Sequence, residues 1–185
     1  AVNPSGKLPF SFPAKLTDCG AHAFDELSYP GDSIKQEYKE DILVGYRWHD
    51  TKKIPALFPF GHGLSYTTFT YGKPMASAKA MAADGMLTVT VAVKNTGSIA
   101  GKEIVQLYVG DDKCSVLRPV KELKHFAKVA LAPGEEKSVT FTLTPDDLKF
   151  YDEASAAWKY EPGKFKAYVC ASSADVRGVV SFEMQ

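Results

Sequence analysis

Five consecutive residues, Tyr46-Arg-Trp-His-Asp50, hold the densest polar and aromatic chemistry in the chain. An indole can stack on the face of a pyranose, and a guanidinium and a carboxylate can hydrogen-bond its hydroxyls. Trp48, Arg47 and Asp50 are therefore candidate sugar contacts. The same side chains fit a second role. Arg47 can pair with a carboxylate or with backbone carbonyls, and Trp48 can pack on a neighbouring domain, since an irregular tract needs anchors of this kind. The second role, interdomain contact, is the preferred reading.

Carboxylate pairs are the next place to seek chemistry. Glu40 with Asp41, Glu135 with Glu136, and Asp146 with Asp147 are adjacent in sequence. Neighbouring side chains on a strand point to opposite faces, so such pairs do not converge on one atom. Glu135-Glu136 follows Pro133-Gly134 and reads as a solvated turn. Asp146-Asp147 follows Thr144-Pro145 and reads as a capped helical turn with proline at its first position. No catalytic residue is assigned within the chain.

Gly61-His-Gly63 is not a phosphate loop, because it lacks the lysine and the helix that such a loop needs. Its glycines are expected to allow a tight bend, with Phe58, Phe60, Leu64, Tyr66 and Phe69 plugging a core. Ser65 has no nucleophile-elbow context. His22, His49, His62 and His125 are scattered. Cys19, Cys114 and Cys170 are an odd number at wide spacing, which is neither a disulfide framework nor a zinc pattern. Cys19 and His22 alone have ligand-like spacing without a second pair. Neither a metal nor a cofactor is expected.

The elements that position these residues divide the 185-residue chain in two. Beyond about Tyr71, apolar residues alternate with polar ones. Leu87, Val89, Val91 and Val93 form one such series; Val139, Phe141 and Leu143 form another; Phe165, Ala167, Val169 and Ala171 a third; Val180, Phe182 and Met184 a fourth. Glu103 to Val109 is a strand apolar on both faces. Asn95-Thr-Gly97 and Glu161-Pro-Gly163 mark turns, and residues 120–131 and 156–160 add shorter strands. This pattern predicts a β-sandwich of the immunoglobulin or fibronectin type III kind over 71–185. The aromatics available for an exposed row are Tyr108, Trp158, Tyr160 and Tyr168, and core or edge packing is the expected place for them.

Residues 1–70 differ. Leu8 to Phe12 reads as one strand, and prolines at 4, 9, 13, 30, 55 and 59 interrupt the rest. This tract is predicted to lie as an ordered connection on a partner domain and on the sandwich. The opening Asn3-Pro-Ser-Gly-Lys-Leu-Pro-Phe-Ser-Phe-Pro13 starts abruptly, so the chain is expected to be the end of something larger. Lysine plus arginine equals aspartate plus glutamate, 22 each, which gives no electrostatic case for nucleic acid or an anionic membrane. No apolar run approaches the roughly 18 residues of a membrane span.

Several of these stretches resemble glycoside hydrolase family 3. Asn3 to Pro13 resembles the last strand of that family's α/β second domain. Tyr38-Lys-Glu-Asp-Ile-Leu-Val-Gly-Tyr-Arg-Trp-His-Asp50 is similar to the motif that follows it. Phe58-Pro-Phe-Gly-His-Gly-Leu-Ser-Tyr-Thr-Thr-Phe69 looks like the lead into a C-terminal fibronectin type III-like domain. Arg118-Pro-Val-Lys-Glu-Leu-Lys-His-Phe126 and Leu131-Ala-Pro-Gly-Glu135 resemble strands inside it. The resemblance implies a last strand of the second domain at 1–13, a wrapping linker at 14–70, and the sandwich at 71–185. It also implies a retaining β-glucosidase-type enzyme acting on terminal β-linked glucosides, whose nucleophile and acid/base sit upstream of this chain. The chain would then buttress the catalytic portion, its first partner, would meet the β-glucoside substrate only through that portion, and would be inactive alone. The resemblance implies a periplasmic or secreted setting, which is frequent in that family. The alternative is a self-standing carbohydrate- or protein-binding β-sandwich module.

Overall fold

The computed structural model describes residues 2–185. The N-terminal tract contains strand β1 (Phe12–Pro13), two single 3-10 turns (Leu16–Asp18 and Gly20–His22), helix α1 (Tyr46–Lys52) and strand β2 (Ala56–Phe58). Three short strands follow, β3 (Phe69–Tyr71), β4 (Met75–Ala76) and β5 (Ala80–Met81). The body of the fold is β6 (Leu87–Asn95), β7 (Gly101–Asp111), β8 (Glu122–Leu131) and β9 (Glu136–Leu143). Helix α2 (Pro145–Leu148), the β10 (Phe150–Asp152)–β11 (Ala157–Lys159) hairpin, β12 (Gly163–Cys170) and β13 (Val176–Met184) complete it.

Two sheets face each other. One has five strands in the order β5-β13-β12-β7-β8. In the other, β6 pairs with β9 along one side and with β3 and β4 along the other. The alternation read from sequence is the alternation observed. Leu87, Val89, Val91 and Val93 point inward from β6, and Val139, Phe141 and Leu143 from β9. They meet Leu107, Phe165 and Val169 from the opposite sheet in one continuous core. Each such side chain contributes about 1.5–3 kcal/mol on burial.

The turn at 95–97 has a specific cause. Asn95 is fully buried at the end of β6, and its amide is saturated. Its Nδ2 donates to the carbonyls of Ile99 and Leu131, while its Oδ1 accepts from the Thr67 hydroxyl and the Gly97 N–H. The capped helical turn is also present. The Thr144 N–H donates to Asp147 Oδ2 at 2.8 Å, in a capping box with Pro145 leading α2.

The tract departs from expectation in three ways. Of the predicted Leu8–Phe12 strand only Phe12 pairs as a strand, together with Pro13 beyond it, opposite Phe58 and Ala56. Pro9 and Pro13 lack ladder donors, and Leu8 instead exchanges bonds with the bend, donating to the His62 carbonyl and accepting from the Gly61 N–H, both at 2.8 Å. Tyr46 to Lys52 forms a helix that periodicity did not announce. Finally, Phe58, Leu64 and Tyr66 are exposed rather than core plugs. Only Phe60 and Phe69 are half-buried against the sandwich, because the bend turns the other rings outward.

Candidate functional site

The residues that could do chemistry gather on the outer face of β7, where the tract crosses it. β7 is buried on both faces. Its inner face meets the core, and its outer face, with Gln106 and Tyr108, is covered by the tract. This explains why the strand is apolar on both sides.

Helix α1 is launched by Gly45, whose φ of 61° is available to glycine at little cost, and closed by Lys53 in the left-handed conformation. The helix sends Tyr46, Arg47 and Asp50 toward the sandwich. The Tyr46 ring stacks on Phe60 at 4.9 Å and meets Tyr108 edge-on at 5.6 Å. Its hydroxyl accepts the Leu123 N–H at 2.8 Å. That acceptor is needed because the β7–β8 register slips here. Leu107 faces His125 while Tyr108 faces Leu123, so Lys124 is bulged out of the ladder.

Asp50 Oδ2 accepts from Lys121 Nζ at 2.5 Å. Burial pushes the Asp50 carboxyl above its ordinary range, against the pull of Lys121. Arg47 lies 3.4 Å from Glu122, which also binds Arg118 at 2.9 Å and Lys124 at 3.5 Å. Burial raises the Glu122 carboxyl, but the charges of Lys124, Arg118 and Arg47 outweigh it and hold the group below the usual range.

Trp48 faces away from the sandwich, into the tract. It is buried, with Phe24 edge-on at 5.8 Å, and its Nε1–H donates to the Asp18 carbonyl at 3.1 Å. His49 is buried beside it and donates Nδ1–H to the Ile54 carbonyl at 3.0 Å. The three sequence candidates thus lie on one short helix but not in one site. Arg47 and Asp50 reach the sandwich, and Trp48 holds the tract to itself.

A second chain of polar contacts fixes the bend. Tyr108 donates its hydroxyl proton to Gln106 Oε1 at 2.6 Å, and Gln106 Nε2 donates to the carbonyls of Gly61 and Ala171. Further along, Lys7 pairs with Glu103 at 3.0 Å, and the Tyr71 hydroxyl donates to the same carboxylate. Glu103, Gln106 and Tyr108 were not singled out as polar anchors from sequence. Their one signal was polar residues inside a strand otherwise apolar on both faces.

Little of this can act as an acid or base. Asp111, Cys114 and Glu161 form a cluster whose ligand atoms lie within 4.8 Å of one another, close enough for its two carboxylates to be weighed as a glycosidase pair. Such a pair needs an acid with a raised pKa. Glu161 instead accepts from both the hydroxyl and the N–H of Ser115, which hold its carboxyl low. Asp111 lies 3.5 Å from the Arg118 guanidinium. Cys19, Cys114 and Cys170 are all free thiols, and Cys19 and His22 gain no further ligand among the described residues. No helix among the described residues is long and apolar enough to cross a membrane.

Comparison with known proteins agrees with this geometry. Residues 103–173 match the fibronectin type III-like domain family. The chain is 67% identical over 182 residues to β-glucosidase BoGH3A of Bacteroides ovatus, a match covering 98% of this chain and 24% of that protein. It is 51% identical to thermostable β-glucosidase B of Acetivibrio thermocellus, covering 95% of this chain and 23% of that one. Among solved structures, DesR, a β-glucosidase from Streptomyces venezuelae, superposes with a TM-score of 0.90 at 42% identity, over 99% of this chain and 23% of DesR. The chain therefore spans about a quarter of the length of the relatives it matches. It carries a fibronectin type III-like β-sandwich and corresponds to a C-terminal part of the β-glucosidases of glycoside hydrolase family 3.

Proposed function

We propose that this chain is the structural, non-catalytic part of a retaining β-glucosidase-type enzyme that hydrolyses terminal β-linked glucosides. One observation carries the reading: almost the whole chain matches, yet it accounts for about a quarter of each β-glucosidase. The chemistry of the chain supports it. Several of its buried or half-buried carboxylates are committed to lysines, arginines or helix caps, as at Asp50, Glu122 and Asp147. Buried Glu40 has no such partner among the described residues, and no second carboxylate among them lines the pocket it borders with Cys19 and Trp48.

In this reading the tract and the sandwich form one body that buttresses the remainder of the enzyme. Hydrolysis, and contact with the glucoside, belong to that remainder. The apolar side chains that the tract turns outward, among them Phe10, Phe58 and Leu64, are the surface it would rest on. The periplasm or the cell exterior is the proposed compartment. The test is a chromogenic β-glucoside assay of the isolated chain. We expect no turnover above buffer, and turnover abolished by chemical blocking of carboxylates would overturn the proposal.

A further inference from the structure

We propose that the groove between the tract and the β10–β11 hairpin is a second docking surface for the remainder of the enzyme, separate from the tract's outward apolar side. This rests on the structural role proposed above. The groove encloses about 920 Å³. Ile42 and Arg47 line it from the tract, Val116 and Leu117 from the loop before β8, and Tyr151 and Trp158 from the hairpin. Trp158 is 65% exposed and Tyr151 50%, with their rings edge-to-face at 5.8 Å. Trp, Tyr and Arg set among aliphatic side chains are the composition of an interface hot spot.

The features of the groove choose among occupants. A sugar platform needs aromatic faces that one ring can lie along, but the planes of Tyr151 and Trp158 meet at 71°. Phe150 also lines the groove, but its ring is buried and already lies under the Arg118 and Lys159 cations, and Ile42, Val116 and Leu117 offer no flat face. An anion has little to bind, since Arg118, Lys124 and Arg47 already share Glu122. The charges that line the groove balance, with Arg47, Arg118, Lys124 and Lys149 against Asp41, Glu122, Asp152 and Glu153, so a neutral polypeptide surface carrying apolar anchors fits. The remainder of the enzyme is the polypeptide at hand to supply it, because about three quarters of each relative's length lies outside the match.

The test is hydroxyl-radical footprinting of two samples. One is the isolated chain; the other is a chimaera in which this chain replaces the matching part of the Bacteroides ovatus relative. We expect Trp158 and Tyr151 to oxidise at least fivefold more slowly in the chimaera, together with Phe58 and Leu64. Slowing at Phe58 and Leu64 with no change at Trp158 and Tyr151 would overturn the groove proposal and leave the structural role standing. No slowing at any of the four would overturn both. If the chimaera does not fold, the same readout is made on the chain mixed with the separately expressed remainder of that relative. Protection of Trp158 by cello-oligosaccharide, or by raising the concentration of the isolated chain, would overturn the proposal in favour of a sugar site or a second copy.

Discussion

Lys121 and Asp50 form an ion pair at 2.5 Å with side chains only 8% and 13% exposed, and this pair joins helix α1 to the loop that leads into β8. Buried pairs of this kind contribute little net stability when formed, but removing one partner strands the other charge. We predict that Lys121→Met lowers unfolding stability by about 3–5 kcal/mol. Adding Asp50→Leu in the same chain should recover part of that loss. Urea titrations of the two variants check both statements.

Gly61 sits at φ 78°, and a Cβ there would fall inside contact distance of the Gln106 amide. Two costs then coincide, a left-handed backbone and a disrupted hydrogen bond to the bend. Gly61→Ala is expected to destabilise by about 1–3 kcal/mol. Gln106→Ala in the same background should reduce the steric part, which a double-mutant cycle would detect.

Trp48 packs inside the tract rather than on the sandwich. Trp48→Ala should cost about 3–5 kcal/mol locally. Amide exchange would show the cost falling on residues 14–55, while β6, β7 and β12 keep their protection. Equal loss of protection in the sandwich would mean that the two parts fold as one unit.

Glu122 gives a pH signature. Its folded pKa lies below its unfolded value of about 4.3, so its stabilising contribution is complete above that pH and is lost as pH falls through the folded pKa. Glu122→Gln should therefore flatten the acid limb of the stability profile below about pH 4.3. It should also leave Arg118 and Arg47 without their shared partner.

Cys170 is fully buried, and burial pushes its thiol up to about 12. Cys19 and Cys114 are half-buried. A thiol reagent at pH 8 should label Cys19 and Cys114 in the native chain and Cys170 only after denaturation.

The sandwich was legible in sequence because period-two alternation survives wherever one sheet face is buried, as from Leu87 to Val93 and from Val139 to Leu143. The Asp146-Asp147 cap was legible because capping is local chemistry. Helix α1 was not, because its seven residues are too few for a helical period to stand out, and its cause is tertiary. Tyr46, Arg47 and Asp50 are each held by partners between Phe60 and Leu123. The same gap misplaced Phe58, Leu64 and Tyr66. Hydrophobicity alone does not say whether a ring plugs a core of this chain or faces outward. Of the sequence candidates, Arg47 and Asp50 reach the sandwich and Trp48 does not, a division set by which face of one helix turn each occupies.

The structural role is tested most directly by mixing this chain with the separately expressed remainder of the Bacteroides ovatus relative and following β-glucoside hydrolysis and its thermal half-life. The account predicts no turnover from the chain alone. It also predicts a saturable, concentration-dependent rise in the half-life or activity of the remainder when the chain is added. An unchanged half-life and rate at saturating chain, or hydrolysis by the chain on its own, would contradict it.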